Sequence, residues 1–405
     1  MFNYFKEYFD YRTLLPALLL LAIGLLSVYS ATFDARQQEI FYRQLGFAAA
    51  GIAVLLVLAF LPFRLLQLLS LPAYGFSMLT LVSVLIVGHT VSGSTSWFNF
   101  GPLRFQPSEL AKITTALALA SYLSRSNVSL RNLGHLLVAS GIVVLPVALI
   151  LMQPDVGTAI VYVGMFFPVL YWAGATRFTL MAILAPGIVG GAALFGTTPF
   201  FIAVIAVGAL LAVMRENRMA AAAVFSLSVL IGISVQAIYG NLKPYQQKRI
   251  ATFLDPGADP LGAGYNSLQS KVAIGSGGLL GKGFLRGTQT QLNFIPEQWT
   301  DFIFCVPGEE FGFLGAMIVL LLFLFVLVRG ITIASSVKNP YGSIVAIALT
   351  ATLATHVLMN VGMALGLLPV IGVPLPFLSY GGSVLLASMA MIGILMNLHA
   401  NRKEY

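Results

Sequence analysis

The chain has 405 residues, 58% of them hydrophobic and only 9% charged, against roughly a quarter charged in an average soluble domain. A mean hydropathy of +0.91 excludes water as the solvent for most of it. The net charge of +8 does not point to nucleic acid: the basic residues are dispersed, no soluble fold displays them, and cytoplasmic loop bias accounts for them.

Apolar runs long enough to cross ~30 Å of hydrocarbon lie near residues 13–31, 46–62, 70–90, 108–124, 134–152, 156–173, 179–196, 199–214, 219–239, 308–329, 342–366 and 381–398. They predict an all-α polytopic membrane protein of about 12 transmembrane helices, a single membrane domain over 1–405. The first run is too long for a signal-peptide core and lacks a small-x-small cleavage site, so it reads as a helix. Between 179–196 and 199–214 stand only Gly196, Thr197 and Thr198, which fit a tight hairpin or one long broken element. The one long interruption is 240–306. Cys305 is the only cysteine, so no internal disulfide can form. No internal repeat or low-complexity segment is evident.

With the N-terminus inside, the inner segments hold Lys6, Arg12, Arg64, Arg125, Arg131, Arg177, Arg215, Arg218, Arg329, Lys338, Arg402 and Lys403. Short outer loops hold only Arg36, Arg43 and Arg104. This bias predicts cytoplasmic termini and places 240–306 outside the membrane, where a long loop is exempt from the charge rule.

A charge at mid-bilayer costs at least ~2.5–3.5 kcal/mol, so the polar exceptions mark protein-lined or watery space. Four groups of them are expected to converge on the outer side. In Gln106-Pro107-Ser108-Glu109-Leu110-Ala111-Lys112, Pro107 opens a helix, and Glu109 and Lys112 share a face. They either orient helices as a buried pair or line a polar cavity. In Gln153-Pro154-Asp155-Val156-Gly157-Thr158, Asp155 suits a helix cap and also faces the outer cavity. The third group is the long segment itself. It begins Tyr245-Gln246-Gln247-Lys248-Arg249, and 264–271 suits a short membrane-surface helix. In the glycines of 275–278, 281–283 and 287, backbone amides could cradle a phosphate or pyrophosphate beside Lys282, Arg286 and Gln289, unless this stretch is merely a linker. It is no Walker loop. The segment ends at Trp299-Thr300-Asp301-Phe302, where Asp301 either caps a helix or serves as a carboxylate in a partly dry cavity. The fourth group is Pro374-Leu375-Pro376-Phe377-Leu378-Ser379-Tyr380-Gly381-Gly382-Ser383, whose helix breakers need a protein-lined setting. Upstream, His356 and Asn360 share a helix face, and His356 reads first as a hydrogen-bonded core residue.

These motifs, in this order and spacing over nearly the whole chain, resemble the SEDS family (shape, elongation, division, sporulation). Gly281-Lys282-Gly283 with Gly287-Thr288-Gln289 is most similar to its RodA-like elongation branch. The resemblance implies an inverting peptidoglycan glycosyltransferase that polymerises lipid II at the outer face of the cytoplasmic membrane for wall elongation and rod shape. It also implies a class B penicillin-binding protein and other elongation-complex proteins as partners, with membrane lipids around it. Asp301 matches the aspartate on which family activity depends. Two departures stand out: about ten spans are usual, so a hairpin within 175–240 looks inserted, and Trp299 stands where histidine is common.

Such a reaction needs a base for the acceptor's 4-hydroxyl and positive charge for the departing lipid pyrophosphate. Asp301 is the expected base; Lys112, Arg43, Lys282 and Arg286 are the candidate cations, and Ser379 a candidate cavity residue. No cofactor is implied, and a divalent cation could share the load, although no ligand set is visible. A flippase for the same precursor, or a noncatalytic scaffold, are the rival readings. The flippase predicts a midplane site and related halves, the scaffold a dispensable Asp301. The run Phe311 to Val328, with Gly312 and Gly315 near its outer end, is the expected face for a single-pass partner.

Overall fold

The computed structural model describes residues 9–33, 37–91, 94–101, 103–214, 217–240, 265–292 and 294–403; Lys6, Arg36, Arg215 and the stretch Tyr245 to Arg249 lie outside these. Helices occupy all twelve apolar runs: α1 (Tyr11–Phe33), α2 (Gln38–Ala59), α3 (Phe63–Val87), α4 (Pro107–Leu123), α5 (Leu133–Met152), α6 (Val156–Trp172), α7 (Arg177–Leu194), α8 (Thr197–Val213) and α9 (Arg218–Gly240) come first. The short helices α10 (Tyr265–Ser276), α11 (Thr288–Gln291) and α12 (Cys305–Glu310) follow, then α13 (Gly312–Ser336), α14 (Pro340–Ala364) and α15 (Gly382–Ala400). Among the described residues nine helices are both long and apolar enough to cross a membrane, while α6 and α8 are apolar but shorter. The protein is therefore a polytopic all-α membrane protein.

Its burial pattern inverts that of a soluble domain. Leu68, Leu79, Ile86, Leu230 and Leu321 lie exposed, whereas Gln44, Glu109, Lys112, His356, Asn360 and Asn397 are buried. In lipid, apolar side chains gain nothing by facing inward, and polar groups must find partners within the protein. Prolines inside α1, α3, α5, α6 and α7 fit the same solvent.

The chain divides into two compact units. One comprises residues 1–129, 134–169 and 266–405; the other comprises 130–133 and 170–265. In the first, α14 and α15 are the most buried of the nine long apolar helices. There α2 runs along α15, α3 along α4, and α13 packs on α14 and α1. Small residues permit the closest approach. A β-carbon on Gly393 of α15 would come within 2.5 Å of the Leu55 carbonyl oxygen of α2, and one on Gly51 would meet Met389 at 3.0 Å.

The second unit is a three-helix cluster. Met181, Ala185, Val189 and Ala193, spaced four apart on α7, face Phe200, Ala203, Val207 and Leu211 of α8, and α9 packs against both. Gly196, at φ 110°, makes the reversal between α7 and α8, and Thr176 caps α7 through the Thr179 amide at 3.1 Å. Residues 175–240 thus hold three helices, with a tight hairpin between the first two.

One element departs from the sequence expectation. The connection before α4 is not a plain loop but an antiparallel three-stranded sheet, β1 (His89–Val91), β2 (Ser94–Phe100) and β3 (Leu103–Phe105). Val91 pairs with Ser94, and Phe98 with Phe105. The β-prone alternation of Ser94-Thr95-Ser96-Trp97-Phe98 is the signal that hydropathy runs conceal.

Replacing Gly393 with Val is expected to wedge α15 from α2, costing about 1–3 kcal/mol. A lowered melting temperature in detergent would register it; an unchanged one would mean the helices do not meet this closely.

Candidate functional site

The polar core begins at α4. Pro107 starts the helix where an amide would have no partner anyway, and Glu109 and Lys112 follow one turn on. The Lys112 ammonium lies 2.8 Å from Glu109 Oε1 and donates to His356 Nε2 at 2.7 Å. His356 Nδ1 in turn lies 3.0 Å from the Pro374 carbonyl. A carbonyl only accepts, so Nδ1 carries the proton and Nε2 is free to accept from Lys112. The pair that the sequence left open between helix orientation and cavity lining is thus a closed chain from α4 through α14 to the 374–383 segment.

That segment is joined to the other motifs as well. Ser383 Oγ accepts from the Gln106 amide at 3.0 Å, and Gln106 Nε2 reaches Asp155 Oδ2 at 3.0 Å. Asp155 caps α6 through the Thr158 amide at 3.0 Å and hydroxyl at 2.8 Å. The sheet leans on the same corner, with Ser94 Oγ donating to the Gln153 carbonyl at 2.7 Å. Gln44 Nε2 donates to the Ser379 carbonyl at 3.1 Å.

Asp301 lies in a half-buried turn before α12 rather than at a helix start. Burial pushes its carboxyl up to about 6, and the negative charges of Glu297 and Asp155 add to the rise. Among the described residues no donor reaches its carboxylate. A β-carbon at Gly372 would stand 3.3 Å from Asp301 Oδ2, so the absence of a side chain there keeps one approach to the carboxylate open. Ser379 supports this turn instead of facing open space: its Oγ donates to the Thr300 carbonyl at 2.6 Å and accepts from the Leu375 amide at 2.7 Å. Glu297 and Phe377, on either side, hold φ of 54° and 65°, strain that the surrounding bonds must offset.

The glycine-rich stretch is not a linker, and its amides are already committed. The Lys282 and Gly283 amides donate to the carbonyls of Glu309 and Glu310 at 3.1 and 2.9 Å. Gly281, at φ 80°, lies so near that a β-carbon would come within 2.1 Å of the Glu310 carbonyl oxygen. The anion in the expected cradle is the Glu309 carboxylate. It accepts from the Gln289 and Thr290 amides at 2.9 and 3.0 Å and pairs with Lys282 at 2.7 Å. Burial alone would raise its pKa, yet the Lys282, Gln289 and Thr290 bonds hold it below the usual carboxylate range. Its neighbour Glu310 goes the other way: burial raises it against weaker opposition from Ser30, Gln291 and the Leu285 amide. Reading Glu309 and Glu310 as part of an apolar run missed this role; a pair of acids opening a membrane helix was the available signal.

Two candidate cations are more accessible. Arg43 is 44% exposed, paired with the exposed Glu39 one turn away, and it lies near Tyr380. Arg286 is exposed and has no ionic partner among the described residues. Among those residues no three His, Cys, Asp or Glu side chains gather closely enough to hold a metal ion. Gly312 and Gly315 do not open a partner groove. β-carbons there would strike the Gly281 amide at 2.4 Å and Phe311 Cβ at 2.3 Å, so both glycines serve internal packing.

Charged and amide side chains gathered inside a polytopic helix bundle define a membrane protein whose polar site is built from helix ends and one long loop. The chain belongs to the FtsW/RodA/SpoVE family: the family model, described as cell cycle protein, matches residues 11–205 and 194–404. It is 38% identical to the peptidoglycan glycosyltransferase MrdB of Escherichia coli strain K12, over 98% of this chain and 96% of that one. It is 35% identical to stage V sporulation protein E of Bacillus subtilis strain 168, over 96% of each. Among solved structures it resembles a chain of a peptidoglycan synthase complex that coordinates polymerization and crosslinking (TM-score 0.75, 29% identity, 98% of this chain and 99% of that one). It also resembles the rod shape determining protein RodA of Thermus thermophilus (TM-score 0.66, 27% identity, 98% of each).

Removing one member of the Lys112–Glu109 pair leaves the other charged and buried, at about 3–5 kcal/mol. Glu109→Gln and Lys112→Met should each destabilise strongly, and the double variant should lose clearly less than the two losses added. Additive losses in a double-mutant cycle would argue against the contact.

Proposed function

We propose that this protein is a peptidoglycan glycosyltransferase that polymerises lipid II at the outer face of the cytoplasmic membrane, with Asp301 as general base. The observation that carries this reading is the half-buried Asp301 carboxylate, raised to about 6 and left without a described donor, in a chain similar from end to end to peptidoglycan glycosyltransferases. A carboxylate already bound by several donors, like Glu309, is a poor proton acceptor.

The acceptor's 4-hydroxyl oxygen forms the new bond to the donor sugar's anomeric carbon and gives its proton to Asp301. The bond from that carbon to the pyrophosphate breaks, and its electron pair leaves with the lipid pyrophosphate. Attack opposite the leaving group inverts the anomeric centre. Positive charge must meet the departing anion. Of the candidate cations, Arg286 has no ionic partner among the described residues to give up, and Arg43, near Tyr380, has only an exposed i,i+4 pair that exchanges readily for a pyrophosphate. Lys112, 1% exposed and held by Glu109 and His356, is better suited to building the cavity floor, and Lys282 to holding Glu309.

The charge bias of the loops supports cytoplasmic termini and an outward site. A transpeptidase of the class B penicillin-binding type is the proposed partner, since crosslinking must follow polymerisation. With Gly312 and Gly315 occupied internally, its membrane helix would meet the lipid-facing side chains of α13, such as Ile318, Leu321 and Phe325, which are exposed.

Asp301→Asn should lower lipid II polymerisation by ~10² or more, scored as glycan chains on a gel with purified protein. Near-normal synthesis would remove Asp301 from the mechanism. The wild-type rate should rise with pH through about 6, as the base loses its proton. Stability has the opposite sign. A carboxyl raised from 3.8 to about 6 favours folding while protonated, and this contribution is lost as pH rises from about 4 to about 6. Asp301→Asn should therefore melt higher than the wild type at pH 7–8 but not at pH 4.

A further inference from the structure

Three consecutive carbonyls of the Asp301 turn are each held by a donor from the far end of the chain. The Tyr380 amide donates to the Trp299 carbonyl at 2.7 Å, Ser379 Oγ donates to that of Thr300 at 2.6 Å, and Asn360 Nδ2 donates to that of Asp301 itself at 2.8 Å. Like Ser379 Oγ, which also accepts from the Leu375 amide, Asn360 makes a second bond, and it alone holds the carbonyl of Asp301 itself. The second proton of its amide reaches the Val373 carbonyl, also at 2.8 Å. One side chain thus spans two segments: the turn that carries the carboxylate, and the 372–374 strip whose Gly372 lies against Asp301 Oδ2.

The orientation of this amide is fixed by chemistry, because both neighbours are carbonyls and only the NH2 end can face them. Its Oδ1 is left buried without a partner among the described residues. An aliphatic side chain of the same shape would avoid the desolvation cost of that orphan oxygen, so the two donated bonds are what the amide contributes. One turn earlier on α14, His356 holds the next carbonyl, Pro374, and ties it to Lys112. His356 and Asn360 therefore fix adjacent carbonyls of one strip, and only Asn360 extends the hold to the base.

We propose that Asn360 is a positioning residue for the transfer reaction, setting the separation between the Asp301 carboxylate and the Gly372 side of the reaction space. The inference rests on Asp301 being the general base. It concerns geometry rather than substrate affinity: Asn360 is fully buried and both its side-chain hydrogen bonds go to backbone carbonyls. Loss of its two bonds lets the turn relax towards water. Glu297 and Asp155, the charged groups that face Asp301, remain in place, so the change in the carboxyl comes from hydration alone.

The test uses purified full-length protein with lipid II, across pH. Asn360→Leu should lower kcat about 10- to 100-fold, the scale of an ångström of misplacement, with KM changed less than about twofold. The acid limb of its rate profile should move below the wild-type position of about 6. Asn360→Asp, which sets a carboxylate against two carbonyls, should be worse than Asn360→Leu. An unchanged kcat would overturn the proposal. So would a loss shared by kcat and KM with the acid limb unmoved, the mark of general loosening. Should Asn360→Leu fail to fold, Ser379→Ala frees the Thr300 carbonyl and the Leu375 amide but leaves the Asp301 carbonyl held, and must show a smaller shift of the same limb; no shift there overturns the proposal too. Asp301→Asn, run alongside, separates the two failures: polymerisation by that variant defeats the general-base reading, whereas its inactivity with normal Asn360 variants defeats this inference alone.

Discussion

The contact on which the polar interior depends is the chain from Glu109 through Lys112 and His356 to the Pro374 carbonyl. Water is not available at that depth to solvate an ammonium, so the lysine must be met from both sides or not be charged. The carboxylate neutralises it and the imidazole takes a further proton of the NH3 group. Because the imidazole's other nitrogen is bound to a backbone carbonyl, the position of a charge on α4 is transmitted to the irregular 372–383 strip. Irregular backbone inside a membrane protein is tolerated only where the protein itself satisfies it. Here His356, Asn360, Gln44 and Ser379 supply those bonds.

Two neighbouring acids show how local donors decide the use of a carboxylate. Glu309 is surrounded by amides, hydroxyls and Lys282, and stays ionised as the fixed anion around which 282–290 folds. Asp301, only a few residues earlier, has its turn held through backbone carbonyls, which leaves the carboxylate itself unclaimed. A group bound from every side is structural. One whose scaffold is bound while its own oxygens stay free keeps its basicity for a substrate. Holding that arrangement costs stability at neutral pH, since burial and the charges of Glu297 and Asp155 oppose ionisation.

Much of this was legible beforehand. A run of apolar residues has one solution in a bilayer, so the helices on all twelve apolar runs could be located, and a charge that survives in such a run must be paired, which singled out Glu109 and Lys112. Proline and glycine clusters at helix ends marked the strip at 374–383. What hydropathy could not convey was any structure made by hydrogen bonds between polar segments distant in sequence. The sheet at 89–105 was hidden because strands of three to seven residues carry no long apolar run. The cradle at 282–290 looked like a site for a foreign anion. Nest geometry has the same sequence signature whether its guest is a phosphate or the protein's own glutamate, and the guest here lies about twenty residues downstream. Gly312 and Gly315 misled similarly, since a small residue permits close approach from either side of a helix.

The same reasoning explains why cations are a weaker guide than bases in this fold. A buried cation must be neutralised before any substrate arrives, so the most buried of them, Lys112, is the least free to receive a pyrophosphate. Breaking its pair would cost several kcal/mol, whereas Arg43 can exchange Glu39 for a stronger anion at almost no cost. The proposed base, Asp301, is under the opposite constraint. It must be dry enough to hold a proton near neutrality, which demands burial, and yet keep an approach for a sugar hydroxyl, which demands a gap in the protein. In the proposed site the bare Gly372 beside Asp301 Oδ2 would leave that gap, next to a turn fixed by three held carbonyls. On the proposed reading, burial suits Asp301 to take the proton and exposure suits Arg43 to meet the leaving group, so the two roles call for residues in opposite settings.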